Sequence, residues 1–226
     1  MTTQEFSIEF DILYNNLASN AAPPLNEYEK SVFLTKAQSD IVLELYSGRN
    51  NLGLSYESAE EVRKYLSVLN TKKEHFLTMA NFLEYPTDIL FRTRMEFQRD
   101  GMKPIPVILV SQDDIARISN NPFKNGDSNR RIIAVETEGG INFISPLSLS
   151  GTLFIYGIKK PNPIILDDIL DLKLTIDGTH VAKQDDNETT LSNSQTSELP
   201  EILHSAILDR AVLLAKQAYI GGQTQA

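Results

Sequence analysis

The stretch "LPEILHSAILDRAVLLAKQAY", residues 199–219, predicts the helix that closes the fold. On a wheel of 3.6 residues per turn, Ser205, Asp209 and Lys216 fall on one narrow polar stripe, and apolar side chains fill most of the remaining surface. A surface helix of a globular protein carries a single apolar stripe, so this helix is predicted to have neighbours on two sides. In a chain of this size, the second neighbour can be another subunit. Three of its apolar residues are therefore candidates for a subunit interface: Leu203, Ile207 and Leu214.

Three helices are predicted in the first 70 residues. The first is "EFSIEFDILYNNL" (residues 5–17), in which apolar side chains recur at helical spacing. The second, "EYEKSVFLTKAQSDIVLELY" (residues 27–46), begins at a capping box, because Asn26 and Glu29 can each accept a hydrogen bond from the other residue's backbone N–H. The third is "SYESAEEVRKYLSVLN" (residues 55–70). The apolar residues of the second helix recur at Tyr28, Val32, Ala37, Ile41 and Leu45.

In the middle of the chain, the pattern of apolar and polar residues changes from helical spacing to alternation at every second residue. In "DILFRTRMEFQRDG" (residues 88–101), two sets of side chains alternate, which predicts a strand with one face in water. The segment "SQDDIARISNNPF" predicts one short helix, with Ser111 and Asp114 at capping spacing. Further strands are predicted in "IPVILV" (105–110), "RRIIAVE" (130–136), "GINFIS" (140–145) and "GTLFIYGIKK" (151–160).

This layout predicts an α+β fold, in which the N-terminal helices and the C-terminal helix form a helical bundle and the middle region is a β-rich, antiparallel part. The predicted organisation is a helical part over residues 1–85, a β-rich region over 86–181, a flexible loop over 182–197, and the closing helix with its tail over 198–226. The loop is assigned to 182–197 because this tract has almost no apolar residues to bury.

The residue types exclude several kinds of chemistry. The chain has no cysteine, which excludes disulfides and thiolate nucleophiles, and its three histidines share no ligand spacing. Neither a phosphate-binding Gly-rich loop nor a Gly-x-Ser-x-Gly elbow is present. Asp167, Asp168 and Asp171 are interpreted as a solvated acidic edge, because a divalent cation needs oxygens that converge from several elements. We therefore predict no enzyme activity, no cofactor and no metal.

The charge and the lack of long apolar runs limit the kinds of partner that the chain can bind. The net charge of −9 is unfavourable for gripping nucleic acid, since affinity for phosphates comes from Lys and Arg. No apolar run approaches the roughly 20 residues of a membrane span. Two basic pairs stand out against the acidic background, Arg130-Arg131 and Lys159-Lys160. They are either edge-strand charges that prevent aggregation or contacts to an acidic neighbour, and they complete the set of candidate interface residues.

Several stretches together resemble the head–tail connector, or neck ring, proteins of tailed bacteriophages, most closely those of the crAss-like short-tailed phages. The resemblance begins with "EFDILYNNLASN" and "LNEYEKSVFLTKAQSDIVLELY", continues through "NPFKNGDSNRRII", and ends with "YGIKKPNPIIL" and "LPEILHSAILDRAVLLAKQAY". The resembling stretches follow one another in the same order and span most of the chain.

The resemblance implies a structural virion protein. It implies a ring of twelve copies in the neck, below the portal protein or against another neck ring, which extends the DNA channel and offers a platform for tail components. Genomic DNA would pass through without sequence-specific binding, no membrane is involved, and assembly would occur in the host cytoplasm. The alternative is an assembly, scaffold or regulatory protein of a phage that is absent from the mature virion.

Overall fold

The computed structural model describes residues 1–17, 24–49, 53–78, 82–99, 101–119, 131–144, 149–166, 175–176, 179–180 and 194–223. The chain divides into two compact units. Met1–Leu69 and Pro161–Ala226 together form one, called here the helical unit, and Asn70–Lys160 forms the other, called the β unit. Helices at both ends of the chain and a sheet in the middle confirm the predicted α+β class.

The elements follow the order of the sequence patterns. In chain order they are α1 (Thr3–Leu17), α2 (Glu27–Ser47), α3 (Glu60–Leu66), a 3₁₀ turn (Ser67–Leu69), β1 (Asn70–Thr78), β2 (Phe82–Glu84), β3 (Ile89–Gln98), β4 (Ile105–Val110), α4 (Gln112–Ser119), β5 (Ile132–Thr137), β6 (Gly140–Ile144), β7 (Ser150–Lys159), β8 (Thr175–Ile176), β9 (Thr179–His180), a second 3₁₀ turn (Glu201–Leu203) and α5 (His204–Gln223).

The predicted capping box starts α2. Asn26 Oδ1 accepts a hydrogen bond from the Glu29 N–H at 2.8 Å, and Glu29 Oε2 accepts one from the Asn26 N–H at 2.9 Å. The helix ends at Ser47 and is capped by Gly48, whose φ of 74° is a left-handed conformation that favours glycine. A Cβ atom at Gly48 would lie 3.0 Å from the Cβ atom of Ser55, which is tighter than an ordinary van der Waals contact.

One stripe of α2 is polar and yet buried, and it holds an extended segment, residues 161–166. Thr35 Oγ1 accepts a hydrogen bond from the Ile164 N–H at 3.0 Å and donates one to the Ile164 carbonyl at 3.3 Å. One turn earlier, Ser31 Oγ accepts a hydrogen bond from the Leu166 N–H at 3.0 Å. A row of helical side chains therefore takes the place of a neighbouring β-strand.

The same stripe continues at Gln38 and ties in the segment that precedes α5. Gln38 Nε2 donates to the Asn162 carbonyl at 2.8 Å, and Gln38 Oε1 accepts from the Ser197 hydroxyl at 2.6 Å. The backbone N–H and carbonyl of Ile165 pair with those of Gln195 at 2.8 Å each. Residues 161–166 are thus held along both edges within the helical unit.

These contacts correct the predicted C-terminal boundary of the flexible loop, residues 182–197. Residues 182–193 of the predicted loop lie outside the described part of the chain, but its last four residues, 194–197, are described and include Gln195 and the buried Ser197. Their polar composition suggested a solvated loop, whereas buried polar partners on α2 and on residues 161–166 hold them in place.

The β unit contains a seven-stranded sheet with the strand order β1-β7-β3-β4-β5-β6-β2. Its edge strands, β1 and β2, are consecutive in the chain, with only residues 79–81 between them. Four residue steps span at most about 14 Å, whereas seven flat strands at about 4.8 Å spacing would place the edges about 29 Å apart. The sheet is therefore curled, and its inner face encloses an apolar core of Leu77, Met95, Phe97, Val107, Ile132, Ala134, Ile141, Phe143, Leu149, Leu153 and Ile155.

Two further predictions about the middle region were wrong in detail. The helical part ends at Leu69 and not at residue 85, because β1 pairs with β7 along its whole length and β2 pairs with β6. The sheet is mixed and not wholly antiparallel, because β4 and β5 run parallel. A parallel pair needs a crossover connection, and the chain between these strands contains α4.

Candidate subunit interface

The closing helix α5 finds its two neighbours within its own chain, since it contacts both α1 and α2. Ile207 is completely buried in the helical unit and serves its core. Leu203 and Leu214 are half-buried and keep part of their surface in solvent. Of the three apolar candidates, Leu203 and Leu214 keep surface available to another subunit, and Leu213, the residue before Leu214, is 46% exposed.

The basic candidates lie in the β unit but not on adjacent strands. Arg131 is half-buried and immediately precedes β5, whereas Lys159 is the last residue of β7. In the sheet, β3 and β4 lie between β7 and β5. Lys160 donates its backbone N–H to the Asp88 carbonyl at 3.0 Å, and Arg130 lies outside the described residues. The sheet therefore separates Arg131 from Lys159 and does not bring them into one basic site.

A surface that the sequence interpretation missed lies on the outer side of β1, β7 and β3. Directly opposed residues of antiparallel strands point to the same face, and the register aligns Lys72 with Tyr156 and Tyr156 with Arg94. Two further rows of aligned residues, at every second position along the same three strands, lie on this face. The opposite face of these strands packs into the apolar core. This surface, called here the open sheet face, consists of Lys72, Glu74, Phe76, Arg94, Glu96, Gln98, Thr152, Phe154 and Tyr156.

The open sheet face combines aromatic rings with cations. Lys72 Nζ lies 4.1 Å from the centre of the Phe154 ring, and Arg94 Cζ lies 4.4 Å from the centre of the Tyr156 ring. Phe76 on the edge strand β1 is 66% exposed. Aromatic residues and Arg are enriched in protein interfaces and dominate their binding energy, so this composition is typical of a contact surface.

Each cation of the open sheet face has an acidic partner on the same strand. Lys72 Nζ lies 2.7 Å from Glu74 Oε1, and Arg94 Nε lies 3.4 Å from Glu96 Oε1. The hydrogen bond to Glu74 raises the pKa of Lys72, so its ammonium stays charged at neutral pH. Ion pairs at a protein surface contribute little to stability.

The helical unit presents a second unpartnered surface, on α1. Phe6 and Phe10 are completely buried, whereas Ile8 and Ile12, one helical turn apart, are 60% and 53% exposed. The sequence of α1 contains no basic residue. Its exposed residues form a surface called here the α1 outer stripe: Gln4, Glu5, Ile8, Glu9, Ile12 and Asn15.

A buried ammonium group joins α1 to α2. Lys30 is 3% exposed, and its Nζ lies 2.7 Å from Asp11 Oδ2, 2.9 Å from Glu27 Oε1 and 3.2 Å from Ser7 Oγ. Burial by itself would lower the pKa of Lys30, but the hydrogen bonds to Asp11 and Glu27 outweigh it, and the pKa is raised. Lys30 therefore stays charged and fixes the position of α1.

The remaining chemistry-bearing residues do not converge on one site in the described residues. In these ranges there is no group of three or more His, Asp or Glu residues placed to hold a metal ion. Asp167, Asp168 and Asp171, interpreted above as a solvated acidic edge, lie outside the described ranges. His204 packs its ring against Phe6, with 5.2 Å between ring centres. No described helix is long and apolar enough to cross a membrane.

Comparison with known proteins gives consistent results along the whole chain. The sequence model of one family, phage tail ring protein 3/4, matches residues 1–226. "Ring protein 3" of Bacteroides phage crAss001 is 36% identical over 233 residues, which cover 95% of this chain and 95% of that protein. "Ring protein 4/5" of the same phage is 35% identical over 240 residues, which cover 98% of this chain and 94% of that protein.

Proposed function

Because the chain belongs to the phage tail ring protein 3/4 family, we propose that twelve copies of it form a ring in the head–tail connector, below the portal. The ring extends the DNA channel and provides a platform on which tail components attach. The observation that carries the proposal is the match along all 226 residues, together with two relatives from one phage that are both ring proteins.

The acidic composition supports a role in the DNA channel. Twelve copies at −9 each would carry a formal charge of about −108. A negatively charged channel wall repels phosphates, so DNA would slide through it without sequence-specific binding. We assign the chain no catalytic activity, because the family and both relatives are ring proteins.

Exposed apolar residues on both units support assembly into a larger structure. They include Ile8 and Ile12 on α1 and Phe76 on β1. Completed rings would lie in the neck of the virion, and the subunits would accumulate in the host cytoplasm before assembly.

Purified virions test the proposal. Mass spectrometry of gradient-purified particles should detect the chain, and single-particle imaging of the neck should show a ring of twelve copies of this fold around the channel. Presence of the chain in infected cells but not in purified virions would instead identify an assembly, scaffold or regulatory protein. A ring with a different copy number would contradict only the stoichiometry.

A further inference from the structure

We propose that a cavity between α1, α2 and α5 binds an arginine side chain of a partner protein. The cavity lies wholly within the helical unit and has a volume of about 330 Å³. Sites for small ligands measure roughly 300–1,000 Å³, so this one suits a single long side chain. The chemistry of the site belongs to the single subunit, whereas the assignment of its occupant to another protein of the neck rests on the proposed function.

Aromatic rings from three helices line the cavity. They belong to Tyr14 on α1, Tyr28 and Phe33 on α2, and Tyr219 on α5. Tyr14 is 3% exposed, and its ring stacks on that of the completely buried Phe10 with 6.0 Å between ring centres, which fixes its position. The faces of aromatic rings attract cations, and arginine also stacks its planar guanidinium on them. This wall therefore favours a cationic group, and arginine over lysine.

The remaining wall is apolar apart from one carboxylate. Four aliphatic residues can pack against the methylene groups of an arginine stem: Leu25, Val32, Ala215 and Ala218. The carboxylate belongs to Glu29, which accepts the capping hydrogen bond from the Asn26 N–H and can accept others.

Glu29 has no ion-pair partner among the described residues. On the same helices, Lys30 pairs with Asp11 and Glu27, and Arg210 pairs with Asp40 and Glu44. Lys36 and Lys216 do not line the cavity. A carboxylate in a wall that contains no cation complements the charge of an incoming guanidinium.

The electrostatic field in the cavity also favours a cation. Burial raises the pKa of Tyr14, and the nearby Tyr219 and Glu29 raise it further, because each opposes a second negative charge. Tyr14 and Tyr219 lie about one helical turn before the ends of α1 and α5, and the last turns of both helices contain no basic residue. Helix C-termini carry a partial negative charge, and Glu27 and Glu29 offset the partial positive charge at the start of α2.

The arginines of this chain are largely engaged within it. In the described ranges, every arginine except Arg49 has a hydrogen bond, an ion pair or another interaction with its own chain. We therefore assign the occupant to a different protein, and a second copy of this chain becomes an outcome that the experiment distinguishes.

The isolated full-length subunit tests the chemistry of the site. The probe is N-acetyl-L-arginine amide, added at constant ionic strength to isotope-labelled protein and followed by NMR. We expect saturable shifts of the Ala215 and Ala218 amide signals, with a Kd on the order of 1 mM for a ligand of this size. The neutral isostere N-acetyl-L-citrulline amide should cause no saturable shift, since it lacks the charge.

Two variants separate the contributions of the charge and the ring. Glu29→Gln removes the charge and keeps the capping box, because glutamine also serves at this position. It should weaken probe binding by about two- to fivefold, the effect of an exposed ion pair. Tyr219→Leu keeps an apolar side chain but removes the ring, and it should weaken binding by about two- to fivefold as well. The matched controls Glu9→Gln and Tyr65→Leu, at positions that do not line the cavity, should leave the Kd unchanged.

Virions identify the protein that supplies the arginine. The photoreactive residue p-benzoylphenylalanine replaces Phe33, which lines the cavity, and irradiated particles are digested for mass spectrometry. We expect a linked peptide from another virion protein, with an arginine within a few residues of the link. A link to a second copy of this chain, a linked peptide without arginine, or no link at all would overturn the assignment of the occupant.

Three results would overturn the site itself: no saturable shift with the arginine probe, equal binding of the citrulline probe, or a wild-type Kd in both Glu29→Gln and Tyr219→Leu. Each is measured on the isolated subunit and is independent of the ring. Absence of the chain from virions would instead reject the proposed function, and the result with the probe would still decide whether the cavity binds arginine.

Discussion

Thr35→Val tests the buried polar stripe on α2. Valine matches threonine in shape but lacks the hydroxyl that accepts a hydrogen bond from the Ile164 N–H at 3.0 Å and donates one to the Ile164 carbonyl at 3.3 Å. Thr35 is 2% exposed and Ile164 is 0% exposed, so water cannot replace the hydroxyl. A buried polar group without a partner costs about 1–3 kcal/mol. The substitution leaves two backbone groups of Ile164 without a partner, the N–H and the carbonyl, and the longer hydrogen bond to the carbonyl contributes less. We therefore expect the free energy of unfolding to fall by about 2–4 kcal/mol.

Urea unfolding followed by far-ultraviolet circular dichroism measures this loss. A decrease of that size is a large part of the roughly 5–15 kcal/mol that stabilises a typical domain. The amide of Ile164 should also exchange with solvent faster in the variant, because its hydrogen bond is gone. The matched control is Thr93→Val, since the Thr93 hydroxyl donates to the Tyr156 carbonyl at 3.1 Å at an exposed position. We expect the control to change the free energy by less than about 0.5 kcal/mol.

A second variant separates the hydroxyl from the methyl group. Thr35→Ser keeps the hydroxyl and removes one buried methyl group, which costs about 1 kcal/mol. Thr35→Val should therefore be the more destabilising of the two. If Thr35→Val stays within about 0.5 kcal/mol of the wild type, or is milder than Thr35→Ser, the hydrogen bonds do not hold residues 161–166 and the reasoning is refuted.

Three further predictions concern the helical unit. Asn26→Ala removes the capping box of α2 and should lower the free energy of unfolding by about 1 kcal/mol in urea titrations, whereas no change would mean that the cap is not formed in solution. Lys30→Met should cost about 1–2 kcal/mol, because Asp11 and Glu27 lose their partner but are exposed enough to be rehydrated, and a stabilised variant would contradict this. Burial lowers the pKa of His204 below its unfolded value, so its contribution is complete above about pH 6.5 and is lost as the pH falls through the folded pKa. Urea midpoints should therefore fall from pH 7.5 to pH 5.5, and by less in His204→Gln; equal falls in both proteins would assign the effect to other groups.

Several elements could be predicted from the sequence because their cause is local. The capping box needs only Asn26 and Glu29 three residues apart, and the structure forms it with both hydrogen bonds. Phe6 and Phe10 recur at helical spacing, and both are completely buried. The period-two pattern in residues 88–101 predicted a strand, and β3 covers Ile89–Gln98. In each case, neighbours in sequence supply the interaction that fixes the element.

The buried side of α2 could not be predicted in the same way. Val32 and Leu45 were placed among its recurring apolar residues, yet both are only half-buried, whereas Thr35 and Gln38 are buried. Polar side chains at helical spacing indicate a solvent face unless a distant segment needs their hydrogen bonds. That segment, residues 161–166, lies more than 120 residues away in sequence, so only the tertiary structure reveals the requirement.

The candidate interface shows the same limit. The sequence identified candidates one at a time, and the structure buries Ile207 within its own unit. The open sheet face draws on three strands, and the register of β7 brings Lys72 and Arg94 onto either side of Tyr156. The alternation of residues within one strand predicts that a solvent face exists, but it does not identify which strands adjoin.

The sequence by itself determined the order and type of most elements, the acidic balance and the resemblance to phage neck proteins, because these depend on composition and short-range spacing. The tertiary structure alone decided where the helical part ends, which polar residues are buried, that β4 and β5 run parallel, and which exposed side chains share a surface. These features depend on pairing between segments far apart in the chain. Such pairing is set by the burial and hydrogen-bond needs of the whole fold, and no local pattern encodes it.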